Sequence, residues 1–416
     1  MCPCRKLSTR IFELSEPVRF SSAAKGPLNG VRVLDLSRLV AGNMLSLQLA
    51  DFGADVIKIE PPEGDSLRAW LDGGEPLFWK TYSRNKRSIV LNLRNPKAGS
   101  ALWRLIENAD VFIENYRPGT LEKMGFAPDR MLHANPRLIV VRVSGFGQTG
   151  PYAQLPGFGT LVEAMSGLAA RSGFSDREPL LPPLALADMI AGLSGAMATV
   201  TALFARGNGA AGQVIDLSLL EPLVSILGPE AAIYRRTGQI RQRSGNGISI
   251  SAPRNIYRCS DGSYAALSGS TAATARRIFE IIGRPDMVSD PRFATNDARV
   301  KNRAVIDEIL GAWFARRPRA EAIAEMQAAG VTAGPVYDVA DGLADPHFQA
   351  RGVFVDVEDP ELGSIPMPNI VPRLSETPGA WRRPAPNIGQ HTDEILGSAG
   401  FSAQEIAAMR SEGACA

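Results

Sequence analysis

Val31-Arg32-Val33-Leu34-Asp35-Leu36 and Ala54-Asp55-Val56-Ile57-Lys58-Ile59-Glu60 read as two short buried strands, and the stretch between them decides the fold. A turn at Ala41-Gly42 leads into a helical stretch from about Met44 to Phe52, which Gly53 closes as a C-cap. Together they make a β-α-β unit of about 30 residues. Further strands are expected at Ser88 to Leu93, Asp110 to Glu114 and Leu138 to Val143, with helices near 96–108 and 128–134. Residues 158–206 read as mostly helical and Val214 to Ser218 as a last strand. Such alternation predicts a parallel sheet covered by helices on both faces.

The character changes after about residue 240. Gln242 to Ala252 is rich in Ser, Gly and Asn. Asn255 to Arg258 and Tyr264 to Leu267 flank the turn Ser260-Asp261-Gly262 and read as a hairpin. Helical segments near 271–282, 302–315 and 318–329 complete the pattern of a smaller α+β domain. From about 350 the chain reads as strands, Pro-rich connections and an amphipathic helix near 402–411. At 416 residues the chain exceeds what one core usually serves, so two or more domains are the default.

Apolar residues make up 45% and charged residues 21%, and the net charge is +2 with both signs mixed. That balance gives no reason to expect a nucleic-acid or membrane-surface partner. Cys2, Cys4, Cys259 and Cys415 form neither a disulfide framework nor a paired zinc pattern. Three histidines, His133, His347 and His391, argue against a His-rich metal site or a His-centred triad, and no metal is expected. No apolar run of about 18 residues stands out. Residues 1–26 lack the apolar core of a secretory signal, and a cytoplasmic protein is expected.

Asp188 is a lone acid in Pro182-Pro183-Leu184-Ala185-Leu186-Ala187-Asp188-Met189-Ile190-Ala191-Gly192, ahead of a helical pattern running to about Ala205. A carboxylate there has two uses. It caps free N–H groups of the first helical turn, or it attacks a carbonyl as a nucleophile. These residues alone leave both open. Glu60, ending the second strand, stands where an acid meets a ribose hydroxyl in a dinucleotide fold. Yet Val40-Ala41-Gly42-Asn43-Met44-Leu45 holds one glycine where that fingerprint has three, which argues against NAD. What survives is a helix N-terminus near Asn43, with free N–H groups and a positive dipole end.

A set of motifs then resembles the family III CoA-transferases, the group of formyl-CoA:oxalate and carnitine CoA-transferases. They are Leu28-Asn29-Gly30-Val31-Arg32-Val33-Leu34-Asp35, Leu49-Ala50-Asp51-Phe52-Gly53-Ala54-Asp55, Asn85-Lys86-Arg87-Ser88-Ile89, Ile113-Glu114-Asn115-Tyr116-Arg117-Pro118-Gly119, Ser144-Gly145-Phe146-Gly147-Gln148-Thr149-Gly150-Pro151-Tyr152, Asp290-Pro291-Arg292-Phe293 and Gly389-Gln390-His391-Thr392-Asp393-Glu394-Ile395-Leu396. They run in order from about residue 27 to the C-terminus. The resemblance implies a Rossmann-like large domain with a parallel sheet, built from both ends of the chain, plus a smaller α+β domain, in an interlocked homodimer. The expected division is an N-terminal extension at 1–26, taken as disordered, a large CoA-binding domain at 27–220, a linker at 221–245, a small domain at 246–345 and a return segment at 346–416.

The resemblance also places the catalytic aspartate on Asp188 and CoA contacts around Leu39, Pro61, Asn115 and Lys123. No permanently bound cofactor is implied; a coenzyme A thioester is a substrate, with a carboxylic acid as its partner. A short dicarboxylate such as succinate, or a branched or unsaturated relative, is favoured over oxalate. One acid serves as nucleophile and carrier, so neither a His base nor a metal is required. The oxyanions need aimed N–H donors. The stretch Val40, Ala41, Gly42 and Asn43 is the candidate, centred on Gly42 and Asn43, with Asn43 offsetting the missing side-chain donor at Val40.

Two positions depart from the family pattern. Val40 stands where the formyl-CoA enzyme has glutamine, and Gly159 where many members have an acid. The Ser244-Gly245-Asn246-Gly247 stretch reads either as a lid or as a flexible connection. A 2-methylacyl-CoA racemase of the same family is an alternative, but its histidine would fall on Phe158. A non-catalytic CoA-binding protein is another. Arg84, Arg87 and Arg142 are expected as surface or strand-end charges, His391 as structural, and Asp35 as a hydrogen-bonding partner of the first turn.

Overall fold

The computed structural model describes residues 17–416. Cys2, Cys4 and most of the 1–26 extension lie outside the described residues. Two compact units result. One takes the residues up to Ser166, Pro182–Gly228 and His347–Ala416; the other takes Gly167–Leu181 and Pro229–Pro346.

The first unit is built on six strands: β1 (Arg32–Asp35), β2 (Asp55–Glu60), β3 (Lys86–Val90), β4 (Val111–Glu114), β5 (Ile139–Ser144) and β6 (Gln213–Ser218). Their order is β3-β2-β1-β4-β5-β6, and every neighbouring pair is parallel. Val33, Leu34, Phe112, Ile113, Val140 and Val141 are fully buried, as strands covered on both faces require. The chain turns from one side of the sheet to the other between β1 and β4. In open α/β sheets that switch point opens a crevice at the carboxyl ends of the strands.

On one face, the helix Pro96–Glu107 joins the return-segment helices Thr392–Ser398 and Ala403–Ser411 in a core with Leu34, Ile57, Ile89 and Phe112. On the other lie α1 (Ala41–Asp51) and the long helix Leu186–Gly207. The sequence expectation started α1 at about Met44. It starts at Ala41, because Leu39 takes a left-handed φ of 62° and makes the turn one step earlier. Such a φ is costly for a branched residue. It is held by Asp65, whose Oδ1 accepts the Leu39 N–H at 3.0 Å.

The two helices meet at glycines. A Cβ on Gly192 would stand 2.7 Å from Met44 Cβ and 2.9 Å from Ala41 O. One on Gly195 would stand 2.5 Å from Leu45 Cδ1. Gly192→Ala is therefore expected to wedge the helices apart at a cost of about 1–3 kcal/mol, read as a lowered Tm. Leu186–Gly207 is long and apolar enough to cross a membrane, contrary to the sequence expectation. Its α1 face is nonetheless buried in this unit, and Arg206 near its end bonds Asp110 Oδ1 at 2.7 Å.

Two segments differ from their expected character. Residues 17–26 are held in place: Val18 N–H donates to Asp356 O at 2.7 Å, and Phe20 meets Trp381 edge-on. Val18 and Phe20 are apolar anchors for the cluster around Val357 and Met367. The expected linker 221–245 carries the helices Leu220–Ile226 and Glu230–Thr237, each with an acid in its first turn.

The second unit holds a three-stranded antiparallel sheet. The expected hairpin, Arg254–Arg258 with Tyr264–Ser268, is extended by Thr332–Pro335. Its core is Tyr257, Phe279, Phe293, Leu310, Phe314 and Met326. The 244–247 stretch belongs to this unit, where Gly245 N–H donates to Gly173 O.

Candidate active site

The crevice at the switch point holds a cavity of about 160 Å³. The loop after β1 supplies Arg38 and Leu39, the loop after β4 supplies Asn115 to Pro118, and β5 supplies Val143 and Ser144. Gly157, Phe158 and Asp188 close it. A second opening of about 360 Å³ is lined by Arg38, Pro61, Glu63, Arg94, Tyr116 and Met124. Arg38 and Tyr116 line both.

Asp188 lies in the first turn of Leu186–Gly207, half-buried. Burial pushes its carboxyl up, and the charge of Glu163 pushes it further, to about 6; its own N–H and that of Ala41 pull the other way. An N–H from the start of α1 thus faces the carboxylate, and no side chain caps that helix end. The arrangement joins an acid with its charged form partly destabilised to an N–H donor at a positive helix terminus.

The structure sorts the other expected residues. Leu39 and Ala41 line the cavity with Asp188. Val40 turns inward and packs with Leu67 and Trp79. Gly42 lies against Ser37, whose Oγ a side chain at 42 would strike. Asn43 is fully buried. Its side-chain amide donates to Leu39 O at 2.6 Å and to Asp65 Oδ2 at 2.8 Å, so that side chain has no N–H left for an oxyanion. Asn43 therefore offers no side-chain donor in place of the one missing at Val40, and the N–H that acts on Asp188 is that of Ala41, at the same helix end.

Asn115 lines the cavity, but both ends of its amide clamp the Arg38 backbone. Oδ1 accepts the Arg38 N–H at 2.9 Å, and Nδ2 donates to its carbonyl at 2.8 Å. Pro61 lies in the second opening. Lys123, exposed at the end of a short helix, lines neither.

Arg84, Arg87 and Arg142 are not surface charges. Each is buried and paired, with Asp51, with Asp55 and Glu394, and with Glu114 and Glu122. His391 Nδ1 accepts the Ser88 N–H at 3.2 Å, a structural contact. Asp35 is buried and accepts from Ser37 and Ser46. Two residues escaped the sequence reading. Arg38 has a buried Nε with no partner among the described residues; its place directly after a strand end was the available signal. Glu163, buried one helical turn after Gly159, was signalled by that four-residue spacing.

The model of CoA-transferase family III matches residues 28–392. The chain belongs to this family. It is 41% identical over 374 residues to succinyl-CoA–D-citramalate CoA-transferase of Chloroflexus aurantiacus, covering 89% of this chain and 93% of that one. It is 34% identical to succinate–glutarate CoA-transferase of Agrobacterium fabrum, covering 89% and 95%. A solved CAIB/BAIF family protein from Brucella suis superposes with a TM-score of 0.81 at 34% identity, over 90% of this chain and all of that one. The chain is a CoA-transferase, and CoA thioesters are its substrates.

Proposed function

We propose that this transferase moves CoA from succinyl-CoA, or a thioester of similar size, to a short dicarboxylic acid through covalent intermediates on Asp188. The observation that carries the reading is the Asp188 carboxylate facing the Ala41 N–H in the switch-point cavity. A carboxylate oxygen attacks the thioester carbonyl, the C–S bond breaks, and CoA thiolate leaves behind a mixed anhydride. The thiolate attacks the aspartyl carbonyl and expels the donor acid, leaving an aspartyl-CoA thioester. The acceptor carboxylate attacks that carbonyl and expels thiolate, and thiolate then attacks the acceptor carbonyl, which frees Asp188 and the new thioester. Every step exchanges one carboxylate or thiolate for another, so no proton donor is needed. The helix end at Ala41 stabilises the oxyanions.

The opening at Pro61 suits the nucleotide end of CoA, with Arg38 spanning the way to Asp188 and its free Nε available to a polar group of the chain. The dicarboxylate reading comes from relatives named for succinyl-CoA with citramalate, malate or glutarate. A racemase is disfavoured because Phe158 occupies the base position and no histidine is among the cavity's lining residues. The deciding assay supplies succinyl-CoA with a panel of free dicarboxylic and monocarboxylic acids. New CoA thioesters of the dicarboxylic acids support the reading, and α-proton exchange without transfer overturns it.

A homodimer is part of the proposal. Leu193, Met197, Val200 and Phe204 form an exposed apolar stripe along Leu186–Gly207, the kind of face a partner chain covers. Phe204→Asp is expected to shift the protein toward monomer in light scattering.

A further inference from the structure

Asp188 shares its surroundings with a second carboxylate. Glu163 lies on the short helix Gly159–Met165 and is 3% exposed. Its Oε1 accepts the N–H of Ala187, the residue before Asp188, at 3.1 Å. The same helix begins at Gly159, where any Cβ would strike Asp188 Oδ2. It therefore gives the Asp188 carboxylate a notch and, one turn on, grips the neighbouring backbone.

We propose that Glu163 is a positioning residue for the nucleophile: it fixes the first turn of Leu186–Gly207 through the Ala187 N–H, and its negative charge keeps the Asp188 carboxylate a strong nucleophile. The inference rests on Asp188 being the nucleophile.

Accepting an N–H does not require a charge. A glutamine in the same pose would accept it equally well without the cost of burying a carboxylate. The charge therefore has its consequence at Asp188. A carboxylate attacks a thioester more readily the more basic it is. A free carboxylic acid titrates at about 4, whereas Asp188 is raised to about 6. A less basic Asp188 would attack the thioester more slowly.

Among the described residues, no other charged side chain shifts Asp188. From α1, the group that faces Asp188 is the Ala41 N–H. The loops after β1 and β4 bring Arg38, Tyr116 and Arg117 to the cavity wall. Glu221, on Leu220–Ile226, takes the Ser218 hydroxyl at 2.6 Å. Glu163 is the charged side chain that acts on Asp188.

The test compares wild type, Glu163→Gln and Glu163→Leu in the pH dependence of kcat/KM for succinyl-CoA. A parallel mass measurement follows covalent acyl or CoA adducts on Asp188. Glu163→Gln keeps the acceptor for Ala187 and removes the charge. Its KM should hold, its plateau kcat should fall, and the acid limb of its profile should move down by about one pH unit, the size of one neighbouring charge. Glu163→Leu should also raise KM, because the turn loses its tether. Gly159→Ala keeps Glu163 but expels the carboxylate from the notch, and its acid limb should move down as well. Glu163→Gln, which keeps the acceptor for Ala187, carries the test if Glu163→Leu fails to fold. An unmoved acid limb, in a protein that still forms the Asp188 adduct, overturns the inference and leaves the nucleophile standing. Absence of any Asp188 adduct in wild type overturns both.

Discussion

Asp188→Asn is expected to reduce CoA transfer at least about a thousandfold while leaving acyl-CoA binding intact, because the residue is the covalent carrier and nothing else in the cavity can take its place. Asparagine has nearly the shape of aspartate, so the cavity, the Ala41 N–H and the notch at Gly159 keep their form. What is lost is the nucleophilic lone pair. Wild type incubated with succinyl-CoA should yield a hydroxylamine-sensitive mass increment on the peptide carrying Asp188, and the variant should not. Full-speed transfer by the variant, without deamidation, would sink the mechanism. The stability effect runs the other way. The folded carboxyl is raised from 3.8 to about 6, so its charged form is disfavoured by folding. That penalty is complete above about pH 6, fades as the pH falls from there toward 3.8, and is absent below it. At pH 7 the variant should therefore be at least as stable as wild type in urea, as expected where function holds a group in an unfavourable setting.

The β-α-β unit was legible because its strands are buried on both faces and write themselves as apolar runs, from Val31 to Leu36 and from Val56 to Ile59. Asp188 was legible as one acid in an apolar stretch, though its use was not. The turn before α1 was misplaced because nothing local marks Leu39 for a positive φ; its support comes from Asp65, 26 positions away. Asn43 misled for the same reason. Its position near a helix start suggested a donor for substrate, and its contacts with Asp65 and Lys86 are tertiary. Arg84, Arg87 and Arg142 looked like surface or strand-end charges because their partners, Asp51, Asp55 and Glu114, lie about 30 residues distant in sequence. Glu163 was hidden by composition, since one acid on a short helix ordinarily faces water. Charge pairing and cavity geometry form only when the sheet assembles, so periodicity located the frame and missed the groups that tune it.

Asp65→Asn carries the second large expected effect, on stability and activity together. Asp65 is 2% exposed and pairs with Lys58 Nζ at 2.9 Å. It also accepts the N–H groups of Leu39 and Leu67 and the amide of Asn43. Lys86 Nζ in turn donates to Asn43 O and Oδ1, each at 3.0 Å. With asparagine at 65, one oxygen becomes an NH₂ that faces two donors, Lys58 and Asn43. Breaking a buried pair by removing one partner typically costs about 3–5 kcal/mol, and Asp35, 3.3 Å from Lys58, softens the loss. The strained turn at Leu39 loses part of its support, the start of α1 relaxes, and the Ala41 N–H drifts from Asp188. Loss of an aimed donor lowers kcat by about 100-fold or more. The pH signature separates this role from simple packing. Burial works to raise the Asp65 carboxyl, but Lys58 and the Leu67 and Leu39 N–H groups outweigh it and bring it from 3.8 down to about 2. A depressed carboxyl contributes stability that is present above its unfolded value and lost as the pH falls through the folded one. Wild type should therefore lose an increment of urea resistance between about pH 4 and 2 that the variant has already lost at pH 7. Equal slopes for the two proteins across that window would show that the Asp65 charge contributes nothing to holding the Leu39 turn.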